Sequence, residues 1–365
     1  MAAGCITGFM PETEEETDML VVEGMITDQP EAYSVILSRS LPLTQNRTKT
    51  RIPVKGCMVT VSDDQGNDYP FAETAPGTYI SNSMSFRGLP GRKYKLTIRT
   101  NNPSGENYTY ETPMVEMKPV PPIDTLFYEK VILKEGQGNL PAAEEGCQIY
   151  LETHDTQNLC KYYRWTYNET WEFNLPYTVT NWRCWLSNNS NTINIKNTSV
   201  LAENRISRYP VKFISNETDR LKVKYSMLVN QYSLNESEYA FWEKLLNISQ
   251  DVGSLYDITP ASITGNVFCV EDPAVLGYFS VSARTSKRIF IKEFFSGIVN
   301  LYSECPVDTI YGNKPIPNLD YSVWIIVDQP YAMPPYKVIT DKRGCADCTV
   351  RGINIEPDFW NDDKK

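Results

Sequence analysis

The helix of this chain is predicted by one stretch, Tyr232-Ser-Leu-Asn-Glu-Ser-Glu-Tyr-Ala-Phe-Trp242, in a sequence whose other segments have the composition of strands. Ser233 and Glu236 have the spacing of a capping box, in which the hydroxyl and the carboxylate each accept a hydrogen bond from a backbone N–H. We therefore expect one main helix, over residues 234–249. Its apolar residues recur at helical spacing and should bury one face against a sheet: Tyr239, Trp242, Leu245 and Leu246.

Short β-rich runs separated by turn residues fill the first third of the chain, at residues 20–26, 32–37 and 57–61. Further on, Tyr94, Leu96 and Ile98 alternate with polar neighbours, so one face of that strand should be buried and the other solvated. This arrangement resembles the transthyretin-like or carboxypeptidase-regulatory β-sandwich. Modules of that kind are usually spacers or docking platforms.

The length of 365 residues predicts two domains. The segment Lys118-Pro-Val-Pro-Pro122 marks their boundary, because proline fixes φ and stiffens a connector. We expect a mainly β protein with a tether over residues 1–17 and two β-sandwich-like domains, over 18–117 and 118–365. The second domain is expected to carry the helix and a cysteine-containing tail. Its predicted strands lie near residues 126–128, 148–151, 162–167, 192–195, 221–229, 276–279, 288–291 and 321–327, the pair at 276–279 and 288–291 being joined by a tight turn.

The charge and the apolar pattern exclude some functions. The formal net charge is −10, and the chain has no cluster of Lys and Arg, so nucleic acid is not an expected partner. No stretch has the roughly 20 apolar residues that cross a bilayer, so membrane attachment would be covalent or through a partner. The chain has one histidine and lacks the Gly-x-Ser-x-Gly, His-Glu-x-x-His and phosphate-loop motifs. We therefore expect no catalytic residues, no cofactor and no metal site.

Nine cysteines are an odd number, which in an exported protein indicates that one has a separate role. Cys5 follows Ala2-Ala-Gly and so fits the end of a bacterial lipobox, which predicts lipidation. The other eight permit up to four disulfides, whose pairing the sequence does not assign. Cys345-x-x-Cys348 would suit a redox couple within a βαβ unit, but it lies in an irregular tail. We favour a structural disulfide between Cys305 and either Cys345 or Cys348.

Six aromatic residues are concentrated in a short part of the predicted second domain. They permit two interpretations: a platform for sugar rings or for a protein partner, or a packed core. Because aromatic side chains bury large areas, the core is the commoner outcome. The six are Tyr162, Tyr163, Trp165, Trp171, Trp182 and Trp185.

Three successive stretches carry a family resemblance: QYSLNESEYAFWEKL at 231–245, GSLYDITPASITGNV at 253–267 and DPAVLGYFSVSARTSKRIFI at 272–291. Their order resembles an uncharacterised Bacteroidota family of outer-membrane lipoproteins, a domain of unknown function. Members of that family are typically encoded beside SusC-like TonB-dependent transporters. The resemblance implies a lipid anchor on Cys5 in the outer membrane and a role in uptake. It does not imply any enzymatic activity.

The function expected from these observations is that of a non-catalytic accessory, which binds a SusC-like TonB-dependent transporter in nutrient uptake at the cell surface. One alternative is a surface adhesin or glycan-binding protein that acts without a transporter. The other is a carboxylate-pair hydrolase, since 45 Asp and Glu residues offer many pairs whose separation the sequence does not reveal. Capture of a barrel subunit from native membranes distinguishes the first function from the others.

Overall fold

The fold is mainly β, as the sequence predicts. The computed structural model describes residues 19–40, 51–101, 107–134, 144–251, 263, 265–269, 271, 275–301, 305–312 and 322–364. No helix in these ranges is long and apolar enough to span a membrane. Cys5, the predicted lipidation site, lies outside the described residues.

The elements follow in chain order. The strands are β1 (Leu20–Ile26), β2 (Ser34–Arg39), β3 (Ile52–Pro53), β4 (Met58–Asp63), β5 (Asp68–Ala75), β6 (Thr78–Ser81), β7 (Lys93–Arg99), β8 (Thr109–Glu111), β9 (Val115–Glu116), β10 (Ile123–Lys134), β11 (Glu144–His154), β12 (Tyr162–Asn174), β13 (Arg183–Asn189), β14 (Asn194–Asn197), β15 (Arg205–Ile214), β16 (Lys224–Leu234), β17 (Val275–Val281), β18 (Arg284–Ile291), β19 (Asp308–Tyr311), β20 (Trp324–Gln329) and β21 (Tyr336–Thr340). The α-helix is α1 (Glu236–Asp251), and short 3-10 turns are Asp219–Leu221, Arg343–Cys345, Cys348–Val350 and Asp358–Lys364.

The chain forms two compact units that are not contiguous in sequence. Unit 1 takes its residues from 1–119, 159–162 and 233–284, and unit 2 from 120–158, 163–232 and 285–365. The first change of unit falls at the predicted proline-rich boundary. The later return to unit 1 differs from the linear division expected from the sequence, because it places α1 and β17 in unit 1 and not in the second domain.

Unit 1 contains a ten-stranded sheet, in the order β17-β1-β2-β6-β5-β4-β7-β8, with β3 paired to β2 and β9 to β7. The predicted alternation in β7 is confirmed, because Tyr94, Leu96 and Ile98 are all buried. They pair in register with β4, whose Val59 and Val61 are also buried. One face of these two strands therefore supplies part of the core of unit 1.

The parallel pairing of β1 with β17 brings residues far apart in sequence into one sheet, with Leu20 opposite Val275 and Ile26 opposite Val281. Gly277 permits the close approach. Its φ is +93°, and a Cβ at this position would lie 2.0 Å from the carbonyl oxygen of Val22. On β17, the backbone N–H of Phe279 donates to the side-chain oxygen of Asn266 at 2.9 Å.

The predicted tight connection between the two strands after the helix is present, but the strands do not pair with each other. β17 ends at Val281 and β18 begins at Arg284. β17 belongs to the ten-stranded sheet of unit 1, whereas β18 pairs with β16 in a different sheet. The two residues between them therefore redirect the chain to a second sheet and do not form a hairpin.

The N-cap of α1 is Asn235, and the predicted capping box at Ser233 is wrong. The side-chain oxygen of Asn235 accepts a hydrogen bond from the N–H of Glu238 at 2.9 Å. Ser233 still belongs to β16, and its hydroxyl donates to the carbonyl of Lys118 at 2.5 Å and accepts from the N–H of Ala283 at 3.2 Å. The helix therefore begins two residues later than predicted.

The buried face of α1 centres on Phe241, which is 8% exposed. Its ring lies 4.8 Å from that of Tyr278 on β17. Tyr239 and Trp242, from the predicted apolar stripe, are half-buried at its margins, and the ring of Tyr239 lies 5.2 Å from that of Tyr162. The helix thus packs on unit 1, although Trp242 is less buried than the sequence pattern predicts.

Unit 2 contains three sheets: β10-β11-β15, then β13-β12-β16-β18 with β14 paired to β12, and β19-β21-β20. In β12, residues alternate between buried and half-buried up to Tyr167, after which most are buried. The last sheet is the smallest, and its strands β20 and β21 are joined by a six-residue turn. This sheet and the segment that follows it build the candidate site.

Candidate functional site

The predicted aromatic cluster does not form one exposed surface. Four of its members are almost fully buried in unit 2: Tyr163, Trp165, Trp171 and Trp185. Trp165 donates from its indole to the side-chain oxygen of Gln231 at 2.8 Å, and its ring lies 4.3 Å from that of Tyr209. Trp182 is 37% exposed, and Tyr162 belongs to unit 1. These residues pack a core, so a sugar or protein platform made of all six is not present.

Two disulfides fasten the tail of unit 2 to other parts of that unit. Cys305, which precedes β19, is bonded to Cys345, and Cys184 on β13 is bonded to Cys348. The two cysteines of the Cys-x-x-Cys motif therefore bond to different partners and do not form a redox couple. The described residues contain two disulfides and not the four that the count permits, and Cys57, Cys147, Cys160 and Cys269 are not disulfide-bonded.

The two residues between the tail cysteines, Ala346 and Asp347, line an open cleft of about 400 Å³ within unit 2. One wall is strand β20, which among the described strands pairs with β21 alone. The loop at residues 178–181 also lines the cleft. Because Cys345 and Cys348 are both cross-linked, two covalent bonds hold this part of the cleft in place.

Asp347 is a carboxylate of the cleft whose hydrogen-bonding capacity is already used. It accepts from the N–H and the hydroxyl of Thr349 at 3.0 and 2.6 Å, and from the guanidinium of Arg343 at 3.0 Å. The amide of Asn181 donates to it at 3.2 Å. The hydrogen bonds from Thr349 are the main cause that lowers the pKa of Asp347 to about 2, against the opposing effect of burial. Asp347 is therefore ionised at neutral pH and is not suited to act as a general acid.

The second carboxylate of the cleft is Asp328, whose oxygen lies 3.7 Å from the ammonium of Lys337. Apolar groups come from Trp324, Ile326 and Val179. The cleft thus places apolar side chains beside oriented polar groups, a combination that small binding sites use. Both carboxylates are paired within unit 2, and the cleft has room for a ligand or a partner segment.

Glu169 is the centre of a buried charged cluster elsewhere in unit 2. It is 2% exposed and lies 3.1 Å from the guanidinium of Arg220 and 3.7 Å from the ammonium of Lys212. The hydroxyl of Tyr225 donates to it at 2.8 Å, and burial, followed by the charge of Glu169, raises the pKa of Tyr225 well above its ordinary value. These contacts compensate the buried charge and connect β12, β15 and β16.

Asp219 forms a second buried ion pair, which ties the tail to the body of unit 2. It is 3% exposed and accepts two hydrogen bonds from the guanidinium of Arg351, at 2.5 and 2.9 Å. The indole of Trp171 donates to it at 3.1 Å. Asp219 thus holds Arg351, three residues after Cys348, and reinforces the disulfide that fixes the tail.

The cleft was not predicted, because its walls come from separate parts of the chain and only one of them, residues 346–347, lies in a motif. The available signal was the Cys-x-x-Cys spacing. The prediction assigned a disulfide to one of its two cysteines, whereas both are disulfide-bonded. No group of three or more His, Cys, Asp or Glu side chains within the described ranges is arranged to hold a metal ion.

The fold is that of a mainly β protein with a cleft braced by two disulfides. A family model described as a domain of unknown function, DUF4249, matches residues 6–288, and the chain belongs to this family. The match covers all of β1 to β17, whereas β19 to β21 and both tail cysteines lie beyond its end. A search of curated proteins finds no match.

Proposed function

We propose that this protein is a non-catalytic outer-membrane lipoprotein, anchored through lipid on Cys5, that binds a SusC-like TonB-dependent transporter and assists nutrient uptake at the cell surface. The resemblance of residues 231–291 to lipoproteins encoded beside such transporters supports this proposal. The lipobox-like Ala2-Ala-Gly-Cys5 supports the anchor.

The structural observation that carries the proposal is the cleft beside β20. Its position is fixed by two disulfides, and its two carboxylates are committed to other residues of unit 2. An arrangement of this kind offers a preformed surface at low entropic cost to a partner. The buried carboxylates Glu169 and Asp219 are also paired, and these pairings favour binding over hydrolysis.

The test is affinity capture from native membranes. The full-length protein, expressed with its own signal in its native host and tagged at the C-terminus, is captured after the outer membrane is dissolved in mild detergent. We expect a barrel subunit of TonB-dependent size in near-stoichiometric yield, identified by mass spectrometry. An unrelated outer-membrane lipoprotein with the same tag is the control.

A Cys5→Ala variant separates the anchor from the partner. We expect this variant to leave the membrane fraction, and detergent partitioning measures the change. Capture of glycan without any barrel subunit would favour the glycan-binding alternative. Absence of a barrel subunit above the control level would overturn the transporter proposal, and full membrane retention of the Cys5→Ala variant would overturn the lipid anchor.

A further inference from the structure

The turn between β20 and β21 carries the most exposed large apolar side chains among the described residues. We call this turn, residues 330–335 (Pro-Tyr-Ala-Met-Pro-Pro), the hairpin tip. Tyr331 is 97% exposed and Met333 is 101% exposed. Large apolar groups that a monomer leaves fully in water, in a cluster, mark interaction sites.

The composition of the hairpin tip keeps the desolvation free energy of its burial low. None of its six residues is charged, and the three prolines have no N–H to desolvate. The N–H of Ala332 already donates to the carbonyl of Gln329 at 3.4 Å. The carbonyl of Pro335 accepts from the N–H of Gly312 at 2.7 Å. The prolines and these two hydrogen bonds reduce the number of polar groups that burial of the tip would desolvate.

The sheet that carries the hairpin tip is braced by a disulfide. Cys305 lies just before β19 and Cys345 just after β21, and the disulfide between them closes the sheet at the end opposite the tip. Next to the tip, Tyr311 is 61% exposed, and its ring lies 6.3 Å from that of Tyr336. The apolar surface thus continues from the tip onto β19 and β21. A tip held on a braced sheet loses little conformational entropy when it binds.

We propose that the hairpin tip is the element that inserts into an apolar pocket of the transporter, with Tyr331 and Met333 as its anchors; this inference rests on the proposed function. Tyrosine is enriched among the residues that dominate binding energy at protein interfaces. The hydroxyl of Tyr331 requires a polar group in the wall of that pocket.

Charge favours a protein partner over a lipid surface. Segments that bind anionic headgroups place Lys and Arg beside their apolar residues. The tip has no basic residue, and the nearby Lys337 lies 3.7 Å from a carboxylate oxygen of Asp328. The whole chain carries a net charge of −10, which anionic headgroups would repel. Strand β20 runs from the cleft to the tip, and among the described strands it pairs with β21 alone, so the partner can extend from the tip along this strand.

The test compares the double variant Tyr331→Ser, Met333→Ser with a matched control, Met84→Ser, which removes an exposed methionine of unit 1 that is 92% exposed. Both are captured from native outer membranes as full-length lipoproteins. We expect the double variant to capture about tenfold less barrel subunit per lipoprotein, a change equivalent to about 1.4 kcal/mol. The control should capture the wild-type amount. The melting temperatures of all three should agree, because fully exposed side chains contribute little to folding.

The outcomes distinguish the two proposals. If wild type and double variant capture the barrel subunit equally, the tip is not the docking element and the proposed function stands. If the wild type captures no barrel subunit, the proposed function fails and this inference fails with it. Flotation of the Cys5→Ala protein with vesicles of phosphatidylethanolamine and phosphatidylglycerol provides the lipid test. Flotation that depends on Tyr331 and Met333 would reassign the tip to the membrane and overturn the protein-docking proposal.

Discussion

Removal of the disulfide between Cys184 and Cys348 should destabilise unit 2 more than removal of the bond between Cys305 and Cys345. The bonded residues are 164 positions apart in the first case and 40 in the second. The chain-entropy relation gives about 5 kcal/mol for the longer loop and about 4 kcal/mol for the shorter one, as upper values. Burial adds to the difference, because Cys184 and Cys348 pack in one buried cluster with Phe173.

The assay is urea denaturation of the oxidised protein followed by tryptophan fluorescence. Six of the seven tryptophans belong to unit 2, so the signal reports the unit that holds both disulfides. We expect Cys184→Ala, Cys348→Ala to lower the free energy of unfolding more than Cys305→Ala, Cys345→Ala. Both should raise the slope m, because the denatured chain without the cross-link exposes more surface. An equal or reversed order, with m unchanged, would refute the loop argument.

Thiol counting provides an independent control for the disulfide assignment. In the Cys5→Ala protein, denatured without reductant, four cysteines should react: Cys57, Cys147, Cys160 and Cys269. In the folded protein Cys147 should be unreactive, because burial raises the pKa of its thiol to about 12. Eight reactive thiols after denaturation would contradict both disulfides.

Three further predictions concern unit 1. Gly277→Ala should lower the free energy of unfolding by about 3 kcal/mol or more, because the new Cβ would overlap β1. Gly66→Ala, at φ +83° in open space, should lower it by about 1 kcal/mol. Thermal melting compares the two variants. Burial alone would raise the pKa of Asp63, but hydrogen bonds within its own loop lower this pKa to about 2. The ionised carboxylate therefore stabilises the fold above its ordinary pKa, and this stabilisation is lost as the pH falls towards 2. Melting between pH 5 and pH 2 should therefore show a smaller loss for Asp63→Asn than for wild type. Phe241→Ala should cost about 3–5 kcal/mol and Trp242→Ala less, by urea denaturation.

The sequence was sufficient to predict the mainly β class and many strands, because the apolar periodicity of a strand such as β7 is local. The same holds for the existence of α1. The N-cap was misassigned because Ser233 and Asn235 both have capping side chains, and the choice depends on how far β16 extends. That extent is fixed by contacts of Ser233 with Lys118 and Ala283, which no local pattern reveals.

The division into units could not be predicted for a related reason. The parallel pairing of β1 with β17 joins residues about 255 positions apart, and it depends on the close approach that Gly277 permits. A linear reading assigns the helix to the domain that surrounds it in sequence. The sequence shows a glycine at residue 277, but it does not show that β1 is the strand that this glycine approaches.

The candidate site combines a tail motif with a sheet that the sequence only partly predicts. Cys345 and Cys348 fix Ala346 and Asp347 in the cleft, and Cys345 also closes the sheet whose far end carries the hairpin tip. The cleft and the tip therefore depend on the same oxidised cysteines. Since such bonds persist in an oxidising envelope and not in a reducing cytoplasm, the binding surface that we propose would be completed only after export. This dependence connects the disulfides of the tail to the proposed place of action and gives both tail cysteines a role in binding without any chemistry of their own.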